Sequence, residues 1–158
     1  MIELKRCESN AGVGTSMNDR QPGCGTIAHS ATTAVLVIAH GSRQEAANRD
    51  LAELVARLSA RADYPIVEGC FLELAEPDLP AGGDRCVARG AHRVLMVPYF
   101  LSAGVHLERD LTAARDELKR RHANVEFHLG SPLGPHPLLD ELVATRIREL
   151  DASLPGLV

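Results

Sequence analysis

The stretch AVLVIAHGSR, residues 34–43, decides the fold. Its first six residues are apolar without alternation, which is the pattern of a strand covered on both faces. The polar break at His40-Gly41-Ser42-Arg43 is followed by apolar residues at helical spacing: Ala47, Leu51, Leu54, Val55, Leu58 and Ala62. Ser42-Arg43-Gln44-Glu45 has the form of a capping box, so the helix is expected to open there. A buried strand that turns sharply into an amphipathic helix is the first half of a βαβ unit.

Downstream, the same alternation recurs three times. Strands are predicted over residues 66–73, 94–101 and 125–129, and helices over 78–89, 108–121 and 137–150. Gly82-Gly83 weakens the second helix, since each glycine costs about 1 kcal/mol against alanine in a helix interior. The last helix repeats Leu138, Leu139, Leu142, Val143, Ile147 and Leu150. Strands one and three are apolar throughout and belong in the centre. The second strand carries Glu68 and the fourth alternates, so both suit edges. Right-handed crossovers then give an α/β doubly wound, mainly parallel four-stranded sheet of order 2-1-3-4. Its topological switch point, where such folds bind ligands, lies between strands one and three.

Residues 1–33 are rich in Gly, Ser, Thr and Asn and lack periodicity, so they are expected to form a flexible N-terminal extension. Cys7, Cys24 and His29 fall there at irregular spacing and read as loose surface residues rather than a metal site. The folded domain is expected over 34–150, with residues 151–158 as a C-terminal tail.

The chain has 158 residues, 45% hydrophobic and 24% charged, which suits one globular domain. The longest apolar run is far too short for a bilayer span, so no membrane partner is expected. A net charge of −4 and five aromatic residues argue against nucleic-acid binding. The four cysteines form no CxxC pair and read as reduced thiols, and nothing in the N-terminus has the form of a targeting signal. A cytoplasmic location is the expectation.

Chemistry-bearing residues gather at the predicted carboxyl ends of the strands. His40-Gly41-Ser42-Arg43 follows strand one, Glu73 ends strand two, and Tyr99, Phe100, Ser102, Gly104 and His106 follow strand three. His40 and His106 flank the switch point. Neutral imidazoles there suit a divalent metal such as Co²⁺, Ni²⁺, Fe²⁺ or Zn²⁺, or act as general bases near neutral pH. Glu73 is a third ligand or a proton acceptor. Backbone amides of Gly41 and Ser42, with Arg43, offer an anion site. The bland alternative makes each histidine a loop-closing donor and Glu73 a capping carboxylate. His92, His122 and His128 read as solvated surface residues, His136 as a structural turn residue and Glu76 as an exposed loop charge. Neither a dinucleotide nor a P-loop motif is present.

Four strings, VIAHGSRQEAAN at 37–48, FLELAEPDLP at 71–80, VLMVPYFLSAGVHLERDL at 94–111 and SPLGPHPLLDEL at 131–142, resemble the CbiX-like sirohydrochlorin chelatases. The resemblance implies a class II chelatase fold and insertion of a divalent metal (Co²⁺ first, or Fe²⁺ or Ni²⁺) into sirohydrochlorin, a carboxylate-rich tetrapyrrole. The family's two metal-handling histidines match His40 and His106, and its carboxylate matches Glu73. By the same resemblance, Gly41, Ser42 and Arg43 would hold the ring's carboxylates, while Tyr99, Phe100, Ser102 and Gly104 would line its face. No organic cofactor is implied. The cysteine-rich C-terminal tail that holds an iron–sulfur cluster in some relatives is lacking, so no cluster is expected. Short members resemble one half of longer tandem ones, which implies a homodimer. A tetrapyrrole or metal carrier of the same fold, binding without inserting, is the rival reading.

Overall fold

The computed structural model describes residues 32–102 and 104–154. Four strands, β1 (Thr33–Ala39), β2 (Ile66–Phe71), β3 (Arg93–Pro98) and β4 (Glu126–Leu129), alternate with helices α1 (Glu45–Ala60), α2 (Leu79–Ala88), α3 (Val105–Arg121) and α4 (Pro137–Ser153). All strand pairs are parallel and the order is β2-β1-β3-β4, as expected from the strand chemistry. Cys7, Cys24 and His29, with most of the expected N-terminal extension, lie outside the described residues. Among the described residues no helix is long and apolar enough to cross a membrane.

Alternation along β1 divides the core into two layers. Ala34, Leu36 and Ile38 face α2 and α3, together with Cys70, Cys86, Met96, Leu111, Leu118 and Phe127. Val35 and Val37 face the other way, against Leu51, Leu54, Val55 and Leu58 of α1. Thr33, the one buried polar or charged residue among the described residues, accepts a hydrogen bond from Arg93 at 3.0 Å. Burial pushes the Cys86 thiol up to about 12 and the Cys70 thiol higher, so both stay protonated and unreactive in the folded chain.

Several expected boundaries move. No capping box forms at Ser42: α1 starts at Glu45, its N-cap Gln44 makes no side-chain cap, and the Ser42 hydroxyl instead accepts from the Gln44 amide at 3.0 Å. Strand β2 stops at Phe71 and β3 at Pro98, because apolar runs continue into the site loops beyond the ladder. Helix α3 starts at Val105, not 108, which brings His106 into its first turn. Helix α4 runs on to Ser153, into the expected tail, and none of its residues is buried.

Gly82-Gly83 is a packing device. A Cβ on Gly82 would lie 2.6 Å from the Cys70 Cβ, and one on Gly83 would lie 2.6 Å from the Leu118 side chain. The missing side chains let α2 lie close on both β2 and α3. The helix starts cleanly even so, because the Asp78 carboxylate accepts from the Ala81 amide at 2.8 Å.

On the outer side of this layer, Asp84 clamps α2 to α3. It lies 2.5 Å from Arg121 and 2.7 Å from His122. Partial burial pushes its pKa upward, but hydrogen bonds from His122 and Arg121 outweigh that and hold the carboxyl below its ordinary range. A depressed carboxyl contributes stability above the unfolded pKa, which disappears as pH falls through the folded one. The Asp84→Asn variant is therefore expected to unfold at lower urea than the parent near neutral pH. The gap should narrow and close below the ordinary carboxylate range of about 4. A gap constant from pH 7 to pH 3 would count against the clamp.

Candidate functional site

Parallel pairing does not end where the strands do. Beyond β1 and β2 the Leu72 amide donates to the Ala39 carbonyl at 3.0 Å, and the Glu73 amide donates to the His40 carbonyl at 3.1 Å. These two bonds carry His40 and Glu73 past the sheet edge side by side. Their side chains meet with Nδ1 of His40 3.3 Å from Oε1 of Glu73. The Phe100 ring stands edge-on to the imidazole, 6.4 Å between centroids at 89°. The carboxylate beside Nδ1 favours a proton on that nitrogen, which leaves the Nε2 lone pair available to a metal or a proton.

Gly41 makes this approach possible. Its φ is +93°, in the region open to glycine, and a Cβ there would sit 1.8 Å from the Glu73 carbonyl oxygen. The turn is then locked by the Asn48 side-chain amide, which donates to the Ser42 carbonyl at 2.8 Å. On the other strand, Leu74 follows Glu73 with φ +64°, a conformation that costs a branched residue about 1–2 kcal/mol. The site backbone is thus held in a sharp, partly strained bend on both sides of the His40–Glu73 pair.

A shallow cavity of about 260 Å³ opens over the pair, lined by His40, Leu72, Glu73, Leu107 and Asp110. Asp110 was not among the residues picked from the sequence. It stands four positions after His106, hence on the same helical face, and that spacing was the available signal. Two larger cavities lie away from this place, one beside α1 and β2 and one on the α1 side of the sheet. The chemistry here is carried by the residues, not by cavity size.

The remaining expected residues divide. Phe100 packs on the α2–α3 layer beside His40, whereas Tyr99 turns to the opposite side of the sheet and lines the cavity with Val97 and Leu133. Strand alternation persists through the loop and separates the two rings. Ser102, Arg43 and His106 are exposed. Gly104 is the N-cap of α3, its carbonyl accepting from Glu108 at 3.0 Å; its φ of −76° and the open space around it do not require glycine. Among the described residues, no three His, Cys, Asp or Glu side chains converge as a metal cage.

The CbiX family model matches residues 34–150. The chain belongs to the CbiX family. Among CbiX relatives, the sirohydrochlorin cobaltochelatase of Priestia megaterium is 36% identical over 117 residues, covering 74% of this chain and 38% of that protein. The chloroplastic sirohydrochlorin ferrochelatase of Arabidopsis thaliana is 34% identical over 122 residues, covering 77% of this chain and 54% of that one. The structure of the sirohydrochlorin chelatase SirB from Bacillus subtilis subspecies spizizenii in complex with cobalt superposes with a TM-score of 0.70 at 28% identity. That match covers 75% of this chain and 50% of SirB. The chain thus spans about half the length, or less, of these relatives.

Proposed function

We propose that this chain inserts a divalent metal into sirohydrochlorin, with Co²⁺ ahead of Fe²⁺ and Ni²⁺ as the metal taken. The observation that carries the reading is the His40–Glu73 pair, held together at the switch point by a bend that only glycine at position 41 allows. Membership of a family whose relatives are cobalto- and ferrochelatases supplies the reaction class. Relatives of both kinds match about equally, so the choice of Co²⁺ rests on the metal assay below.

Metallation replaces two pyrrole N–H protons with the metal and exchanges the metal's own ligands for four ring nitrogens. Nε2 of His40 holds the incoming ion or accepts a proton, and Glu73 stabilises the charged imidazole through Nδ1. His106, exposed in the first turn of α3, serves as the second imidazole. Asp110, on the cavity wall, is a further acceptor for the protons released. Amides of Gly41 and Ser42, with Arg43, hold peripheral carboxylates by charge-assisted hydrogen bonds. Phe100, Ser102 and Gly104 face the ring. Tyr99 stands on the far side of the sheet from this site in a single chain.

A cavity of about 260 Å³ is below the range of about 300–1,000 Å³ that encloses drug-sized ligands, and a tetrapyrrole is larger still. Together with the half-length match, this favours a two-fold dimer in which a second copy closes the ring site. The reaction is assigned to the cytoplasm, where the free thiols Cys70 and Cys86 remain reduced.

The test is an anaerobic assay of the purified chain with sirohydrochlorin and, separately, Co²⁺, Fe²⁺ and Ni²⁺, followed by the change in ring absorption. Multiple turnovers above the spontaneous rate, fastest with Co²⁺, are expected. A change that stops at one ring per site would replace the enzyme with a carrier.

A further inference from the structure

The bend at Gly41 is gripped from two different elements. From the loop after β2, the Glu73 amide donates to the His40 carbonyl at 3.1 Å. From the first turn of α1, the Asn48 side-chain amide donates to the Ser42 carbonyl at 2.8 Å. The two acceptors are the carbonyls of the residues on either side of the glycine, so each bond fixes one peptide plane of the turn. Gly41, with φ +93°, turns the chain between them.

The first bond serves the imidazole. It brings Glu73 alongside His40, whose ring is held further by the 3.3 Å contact with the carboxylate and by the edge-on Phe100. None of these contacts involves Asn48. The second bond acts further along the chain. In a trans peptide the N–H points opposite to the carbonyl, so drawing the Ser42 carbonyl toward α1 turns the Arg43 N–H away from that helix. The next amide, of Gln44, is already taken up by the Ser42 hydroxyl at 3.0 Å. Asn48 itself does not line the His40 cavity; it lines the separate one between α1 and β2. It therefore acts through the turn and not by touching what the His40 cavity holds.

We propose that Asn48 is a positioning residue for recognition of the ring. By holding the Ser42 carbonyl it sets the Arg43 amide, and the exposed Arg43 side chain that follows it, for a peripheral carboxylate of the tetrapyrrole. An amide fixed beforehand does not have to be ordered when the carboxylate arrives, which favours binding. The His40–Glu73 pair is held independently, so the turn divides into a metal-handling half and a ring-holding half. The assignment rests on the reading of the function above and names a residue that serves its substrate.

The test is steady-state metallation by the full chain with sirohydrochlorin and Co²⁺ varied separately, compared with Asn48→Asp, which keeps the shape but has no N–H to donate. The KM for sirohydrochlorin is expected to rise about 3- to 10-fold, the worth of one hydrogen bond, with kcat and the KM for Co²⁺ within about twofold of the parent. Asn48→Gln, which keeps an amide donor on a longer stem, should fall between the two. A residue with a purely structural role would instead lower kcat together with the urea midpoint and leave the ring KM unmoved. That pattern, or a parental ring KM in Asn48→Asp, would overturn the assignment and keep the chelatase. Absorption titration with metal-free sirohydrochlorin separates the two readings. A parent that binds the ring without turning it over, and binds it more weakly as Asn48→Asp, would sink the chelatase and keep the assignment. A parent that does not bind the ring would overturn both.

Discussion

His40→Ala is expected to slow Co²⁺ insertion into sirohydrochlorin by about 10²–10⁴-fold, the usual contribution of a placed acid–base side chain. Three observations support the role: Nδ1 lies 3.3 Å from Glu73, the ring is braced edge-on by Phe100, and His40 lines the cavity. Both partners of the pair are more than half exposed, so their removal costs little packing. Substitutions of this kind usually change stability by less than about 0.5 kcal/mol. Unfolding in urea should accordingly be unaltered while turnover collapses. Glu73→Gln keeps the shape of the partner but loses its charge, and should fall between parent and His40→Ala. A His40→Ala protein that metallates at the parental rate when metal is limiting would remove His40 from the mechanism. Equal losses in rate and in urea midpoint would make it a structural residue.

Gly41→Ala is expected to be the most damaging single change to the fold of the site. The left-handed backbone at φ +93° costs about 1–2 kcal/mol for an L-residue, and a clash in a packed place adds about 1–3 kcal/mol. Here the clash is with a backbone carbonyl, which no rotamer change relieves. Relief requires the loop after β2 to move, and that breaks the Glu73 amide bond to His40. A loss of about 3–4 kcal/mol in urea unfolding should therefore appear together with loss of turnover. Gly104→Ala is the control, since that position has ordinary φ and open space around it, and its fold should be unaffected. A Gly41→Ala chain with parental urea midpoint would mean that the bend is not needed.

The order of the sheet was legible because burial is written directly in strand composition. AVLVIA at 34–39 and VLMV at 94–97 could only be central, and Glu68 and the alternating 126–129 could only be edges. From the order follows the switch point, which the sequence flanks with His40 and His106. Residue types at the strand ends also pointed to Glu73, and it is Glu73 whose side chain meets His40. Asp110 escaped because α3 starts three residues before the expected position, and a helix start set too late hides the first-turn spacing.

Other features depend on contacts between segments distant in the chain, and no local pattern encodes those. Gly82-Gly83 reads as a weakness until Cys70 and Leu118 are seen against it. Tyr99 and Phe100 are adjacent in sequence but lie on opposite sides of the sheet, because alternation continues through their loop. The apolar repeat of α4 shows that this helix must bury a face, since periodicity records the need for a partner. It does not record which surface meets the need. In the folded chain α4 buries none of its residues, although the loop before it is held close to the β3 side at Leu133 and Gly134. Composition and period thus determined the strand order and pointed to the candidate site. Close approach of backbones, at Gly41 above all, decided its geometry, because steric exclusion acts between atoms that only the folded chain brings together.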